Sequence, residues 1–199
     1  MRKVYFLLIA LGIAGAVLAQ KGTYRSGIKA GGNLYTSDMT MATGTSKEWR
    51  PGFHAGVFFH FPVVSMFSIQ PEFLYSQEGV NTKGTNTTSE SKLQYLVVPV
   101  MFQLNSQSGF YGELGPQFGV LVRGSQTINN NGTVSELDLK KQTTAATVAG
   151  AAGIGYRKNR FGVNTRYTHG LTNITKGSGA ERKSNGIQLS FSWSWNQEK

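Results

Sequence analysis

The chain has 199 residues, no cysteine, 25 glycines and 12% aromatic residues, and its 20 Lys and Arg against 10 Asp and Glu give a formal charge of +10. Without cysteine there is neither a disulfide framework nor a lipidated N-terminal cysteine. The basic residues are scattered over turns and loops and form no stripe, which argues against nucleic acid and for an anionic lipid or lipopolysaccharide surface.

Arg2 and Lys3 precede an uncharged apolar run from Val4 to Ala19, closed by Val17, Leu18 and Ala19 ahead of Gln20. This is a secretory signal pattern, and the run is shorter than the roughly 18 residues of a membrane helix. Residues 1–19 are therefore expected to be a cleaved signal peptide and 20–199 a single domain. No later segment could span as a helix.

The rest of the chain alternates residue by residue. In a strand, successive side chains point to opposite faces, so alternation marks a sheet with one apolar and one polar side. The first strand is expected near Gly27 to Tyr35, with Ile28, Ala30 and Leu34 opposite Lys29, Asn33 and Tyr35. The second sets Phe53, Ala55, Val57, Phe59 and Phe61 against His54, Gly56, Phe58 and His60. The third, Met66 to Gln77, sets Phe67, Ile69, Phe73 and Tyr75 against Ser68, Gln70, Glu72 and Ser76. The fourth, Gln94 to Leu104, is apolar on both faces; an inward Gln103 turns Leu96, Val98, Val100, Phe102 and Leu104 outward. Next, Phe110, Leu114, Phe118, Val120 and Val122 alternate with Tyr111, Glu113, Gln117 and Arg123. A small-residue strand near Ala145 to Tyr156 is followed by Phe161, Val163, Thr165 and Tyr167 against Gly162, Asn164, Arg166 and Thr168. The last strand sets Ile187, Leu189, Phe191, Trp193 and Trp195 against Gln188, Ser190, Ser192 and Ser194.

The connections alternate as well. Long ones run from Thr36 to Arg50, Glu78 to Lys92, Gly124 to Gln142 and Gly170 to Ser184, with short turns near Pro62 to Ser65, Asn105 to Gly109 and Arg157 to Arg160. Short periplasmic turns and long external loops are the habit of outer-membrane barrels. The expected fold is therefore all-β: an eight-stranded antiparallel transmembrane β-barrel with short periplasmic turns and long extracellular loops. The long loops, rich in Asn, Thr, Ser, Gly and Lys, are expected to be solvated and mobile.

Such a barrel turns Phe53, Val57, Phe59, Phe73, Phe118, Phe191, Trp193 and Trp195 toward lipid. Lys29, Glu72, Glu113 and Arg166 then converge in a bore just wide enough to be filled by side chains, where charges must pair or be hydrated. Phe58, Leu74 and Tyr111 add bulk there. Tyr156, Trp193, Trp195, Phe110 and Phe161 fall near periplasmic strand ends, where aromatic rings favour the interface. Pro71, Pro99 and Pro116 lie inside strands and each removes a ladder donor, which a local bulge would accommodate.

Tyr95-Leu96-Val97-Val98-Pro99-Val100, Gly112-Glu113-Leu114-Gly115-Pro116 and Tyr167-Thr168-His169-Gly170-Leu171-Thr172-Asn173-Ile174 together resemble the PorT-like outer-membrane β-barrel family of Bacteroidetes. The resemblance covers essentially the whole chain after the signal. It implies an accessory role in a cell-envelope assembly, with a link to type IX protein secretion, and other envelope or secretion proteins as partners. Members usually carry an acidic residue where Val97 stands, so a lumen contact differs here.

Three other functions use the same residues. A lipid A modifying enzyme needs His54, His60 or His169 to activate a serine such as Ser68, Ser76 or Ser184, yet no such constellation is recognisable in the sequence. His54 and His60 are six apart on one strand face, too far for a metal pair without further ligands. A narrow pore needs an open bore, and a secreted lipocalin-like carrier needs the two faces reversed. The expected reading is a structural or interaction barrel with no catalytic residues, cofactor or metal.

Overall fold

The computed structural model describes residues 24–38, 46–84, 87–130, 133–139, 143–174 and 183–196. The signal peptide expected over residues 1–19 lies outside them. All regular structure among these residues is strand: β1 (Arg25–Asp38), β2 (Ser46–Glu48), β3 (Arg50–Val64), β4 (Phe67–Lys83), β5 (Thr87–Asn105), β6 (Phe110–Asn130), β7 (Thr133–Asp138), β8 (Ala146–Lys158), β9 (Phe161–Gly170) and β10 (Lys183–Ser194).

Eight of these form a closed antiparallel ring, β1-β3-β4-β5-β6-β8-β9-β10, sealed by the pairing of β10 with β1 from Gly27↔Ser194 to Asp38↔Lys183. Closure leaves no free edge in the ring and satisfies the ladder groups that hydrocarbon cannot. The short turns, the start of β1 and the end of β10 all lie at one end. The two-residue turn between β8 and β9 is closed by Asn159 at φ 54, a left-handed conformation that Asn tolerates.

The alternation follows the sequence pattern except at Arg123, expected inward with Glu113 and Gln117, which the register shift at Gln94/Tyr95 turns to the outer face. Ile28, Leu34, Phe53, Phe73, Leu96, Phe102, Leu104, Phe118, Ile187, Leu189, Phe191 and Trp195 are exposed on the outside, while Lys29, Asn33, His54, Glu72, Gln103, Glu113, Arg166, Gln188 and Ser190 are buried in the bore. Val57, Phe59 and Trp193 share the outer face but are half-covered by neighbours. Phe59 packs edge-on against Phe73 and Trp193 against Trp195, with ring centroids 6.4 and 6.3 Å apart. At the short-turn end Phe110 lies 4.8 Å from Tyr156.

Two further expectations need correction. The segments Glu78 to Lys92 and Gly124 to Gln142 are not simply loops: β4 and β5 stay paired from Glu78↔Leu93 to Lys83↔Thr88, and β6 pairs with β7 from Ser125↔Asp138 to Asn130↔Thr133. Their two faces carry few apolar residues, so the sequence lacks the alternation that marks a strand. Ladder hydrogen bonds and the burial of Val80 and Leu93 hold them instead. Nor do Pro71, Pro99 and Pro116 create bulges. Pro71↔Val100, Pro99↔Gln117 and Pro116↔Gly150 keep register, and the shifts sit elsewhere, at Pro62/Val64 and Gln94/Tyr95.

The outer face changes character across one row of strand partners. Below it stand Tyr75 and Leu96; then come Gln77, Gln94 and Arg123, paired across β4, β5 and β6. This row marks the end of the apolar band. Glu78–Lys83 continue past it, about 20 Å of strand at 3.3–3.4 Å per residue, and with β2, β5, β6 and β7 they build a wall beyond the band.

Candidate functional site

The inward residues of the ring fill the bore from end to end. At the short-turn mouth, Arg157 from β8 lies 4.7 Å over the Tyr111 ring and donates to Gln103 Oε1 at 3.0 Å and Gln70 Oε1 at 3.4 Å. The sequence alone placed Arg157 in a turn. Gly155 makes room for Tyr111, since a Cβ there would meet the phenol ring.

Deeper in, the four charged residues singled out in the sequence meet. Arg166 grips Glu72 through two bonds, both 2.9 Å, and its Nε donates to Glu113 Oε1 at 2.8 Å. Lys29 Nζ donates to Glu72 Oε1 at 3.0 Å. Gln70 gives Glu72 a further bond at 2.8 Å, while Glu113 accepts from Gln103 at 2.9 Å and from Asn164 at 3.1 Å. Two cations and two carboxylates balance, and every carboxylate oxygen has a donor. An ionic cluster sealed from water requires this balance, because an unmatched buried charge costs several kcal/mol.

Next comes a relay that spans three strands. His54 Nδ1 lies 2.5 Å from Asn33 Oδ1 and His54 Nε2 lies 2.7 Å from Ser190 Oγ. Asn33 Nδ2 donates to Ser76 Oγ and to the Gln77 carbonyl, both at 3.2 Å, which fixes its Oδ1 as the acceptor facing His54. His54 is then the Nδ1–H tautomer, and its Nε2 accepts the Ser190 proton. Serine, histidine and an orienting amide in this order match the components of acyl-transfer chemistry. Substrate, however, has no way in: Ser190 and His54 are each 1% exposed and Asn33 3%. The relay is packing. The serines considered from sequence go elsewhere, Ser68 to Asn105, Ser76 to Asn33 and Ser184 to Glu78. His60 lies beside Arg157, and His169 faces outward, paired with Asn185.

Toward the long connections, the Tyr35 hydroxyl accepts from Gln188 Nε2 at 3.0 Å and Thr168 at 3.3 Å. Leu74, Leu93, Tyr95, Val97, Leu121, Leu139 and Ile174 form an apolar cluster alongside. Val97, where family resemblance would place an acid, belongs to this cluster and is 2% exposed. Among the described residues no three His, Cys, Asp or Glu side chains gather as a metal-ligand set.

A closed ring of eight strands with an apolar exterior and a polar, filled interior is the architecture of a small outer-membrane barrel. A family described as outer membrane protein beta-barrel domain matches residues 18–176. The chain belongs to this family. Its place is therefore the outer membrane. Among solved structures it is similar to Neisserial surface protein A, at 12% identity over 85% of this chain and 96% of that one, with a TM-score of 0.50. It is also similar to Ail, the attachment invasion locus protein of Yersinia pestis, at 13% identity over 86% and 98% of the two chains and a TM-score of 0.48. For CarO of Acinetobacter baumannii the figures are 12%, 82% and 97%, with a TM-score of 0.38. At 12% identity the likeness to Neisserial surface protein A is one of fold alone. No curated protein matches the sequence.

Proposed function

We propose that this protein is a sealed outer-membrane barrel that acts through its rim and its exterior, as a structural or interaction subunit of a cell-envelope assembly. The observation that carries this reading is the filled bore: the Lys29–Glu72–Arg166–Glu113 cluster and the apolar cluster around Tyr95 and Val97 occupy the space a pore or a carrier would need. The aromatic face meets lipid and lipopolysaccharide. The short turns lie in the periplasm, and the wall built by β2, β4, β5, β6 and β7 stands outside the cell, where it offers partners a broad sheet.

The protein should fractionate with the outer membrane and migrate differently on gels before and after heating. It should not conduct ions in planar bilayers. Recovery as a soluble monomer without detergent would favour a carrier, and a stable unit conductance would favour a pore. The PorT-like motifs extend the reading to protein secretion; normal export of type IX cargo by a deletion strain removes that extension and leaves the envelope role standing.

A further inference from the structure

At the edge of the apolar band the bore contains a cavity of about 20 Å³, lined by Tyr35, Glu78, Gln117, Thr147, Thr168 and Ser184 among others. Space of this size holds one water-sized particle. Its polar lining is a carboxylate, an amide and hydroxyls. Glu78 is 8% exposed, and its carboxylate takes hydrogen bonds from Ser184 Oγ at 3.1 Å and from the Tyr35 hydroxyl but no cation. The Tyr35 hydroxyl already accepts from Gln188 and Thr168. Gln117 is 5% exposed, and its Oε1 has no hydrogen-bond partner.

Among the described residues no cation stands within ion-pair distance of Glu78. Arg50 on β3, whose side chain passes beside Gly79, pairs through Nη2 with Glu90 at 3.0 Å and not with Glu78. This contrasts with the ionic cluster below, where each carboxylate has a cation. Two separate shortages, a buried carboxylate without a counter-charge and a buried amide oxygen without a donor, thus face one small cavity.

We propose that this cavity binds a single small hard cation, held by the Glu78 carboxylate and the neutral oxygens of Gln117 and Ser184. Hard cations take oxygen ligands of this kind, carboxylate and amide carbonyl together. A lone water would serve Gln117 but leave the charge, whereas a cation answers both needs. The ligands come from β4, β6 and β10, so the ion ties separate walls of the ring together at the edge of the apolar band.

The proton is its competitor. Burial pushes the Glu78 carboxyl up to about 7, against the pull of its hydrogen bonds from Ser184 and Tyr35. A carboxyl with a raised folded pKa contributes its stability at low pH and loses it as pH rises toward that value. Above neutrality, then, the ion has most to restore; at pH 5 the proton already occupies the site.

The test is thermal unfolding of the refolded full barrel in uncharged detergent, in sodium chloride against N-methylglucamine chloride at equal ionic strength. At pH 8 sodium should raise the midpoint saturably, with a much smaller rise at pH 5. Glu78→Gln should abolish the sodium response. Should that variant fail to fold, Gln117→Leu, which keeps the carboxylate, should raise the half-saturating sodium concentration at least tenfold. Equal midpoints in the two salts at pH 8, a full sodium response in Glu78→Gln, or an unchanged half-saturation in Gln117→Leu would each overturn the proposal.

Discussion

Arg166→Met is the sharpest perturbation of the filled bore. Arg166 is 1% exposed and makes three charge-assisted bonds of 2.8 to 2.9 Å to two carboxylates. Methionine fills much of the volume but none of the charge, so a balanced set of two cations and two anions becomes one cation and two anions. The loss does not fall evenly. Glu72 keeps Lys29 at 3.0 Å, whereas Glu113 keeps only the neutral donors Gln103 and Asn164. Summing three charged hydrogen bonds would give roughly 5–9 kcal/mol, but protonation and water entry cap the damage. Breaking one side of a buried pair costs about 3–5 kcal/mol, and that is the expected loss.

A second substitution separates charge balance from lost packing. Glu113→Gln alone leaves an excess cation and should also destabilise. In Arg166→Met with Glu113→Gln, the pair of Lys29 and Glu72 balances again, so the double variant should lose clearly less than the sum, with a coupling of about 2 kcal/mol or more. Urea unfolding from lipid vesicles, followed by the fluorescence of the three tryptophans, measures each value. Additive losses, or an Arg166→Met penalty below about 1 kcal/mol, would refute the argument that these charges need one another.

Three further outcomes test the other surfaces. Leu189→Arg, on the outer face at 51% exposure, should cost about 2–4 kcal/mol in a bilayer if that face meets hydrocarbon, and a variant as stable as the parent would point to an aqueous exterior. A cysteine at Asn130 should react with a membrane-impermeant maleimide on intact cells and one at Arg160 should not; the reverse labelling inverts the proposed orientation. Ser190→Ala should lower stability by about 1 kcal/mol through its lost bond to His54 and leave membrane lipid composition unchanged, whereas a lipid change dependent on Ser190 would show that the bore is open to substrate.

What could be read in advance was whatever alternates. A strand with lipid on one side and a packed bore on the other repeats its chemistry every second residue, so the faces of β1, β3, β4, β9 and β10 stood out in the chain. Even the ambiguous β5 followed from one inward glutamine, Gln103. The strand extensions of β4, β5 and β6 left no such trace, because both of their sides beyond Gln77, Gln94 and Arg123 carry polar residues that a solvated loop would also carry. The ionic cluster was visible as four inward charges, yet its partners were set by register: Arg166 and Glu72 lie 94 residues apart, and His54 and Ser190 136. Arg157 was hidden for a related reason, since a residue beside a turn reads as exposed until the bore mouth beneath it is known.

The distribution of polar and apolar residues along the bore bears on where function can reside. Between the short-turn mouth and the end of the apolar band, buried polar groups are largely matched to one another, from Arg157 with Gln103 through Arg166 with its two carboxylates to His54 with Asn33 and Ser190. Matched networks of this kind hold one arrangement, since displacing any member strands a charge or an amide in low dielectric. A path for ions would have to break several such contacts in sequence, which makes transport through the centre costly. The long-connection end differs. There the charged residues are sparser, an apolar cluster sits beside Glu78 and Gln117, and three ring strands continue past the membrane. Rigidity in the lower bore and an unsatisfied amide oxygen beside an uncompensated carboxylate just above it leave this rim as the part of the molecule with chemistry to offer, and an ion that joins β4, β6 and β10 there would set the geometry of the wall that partners meet.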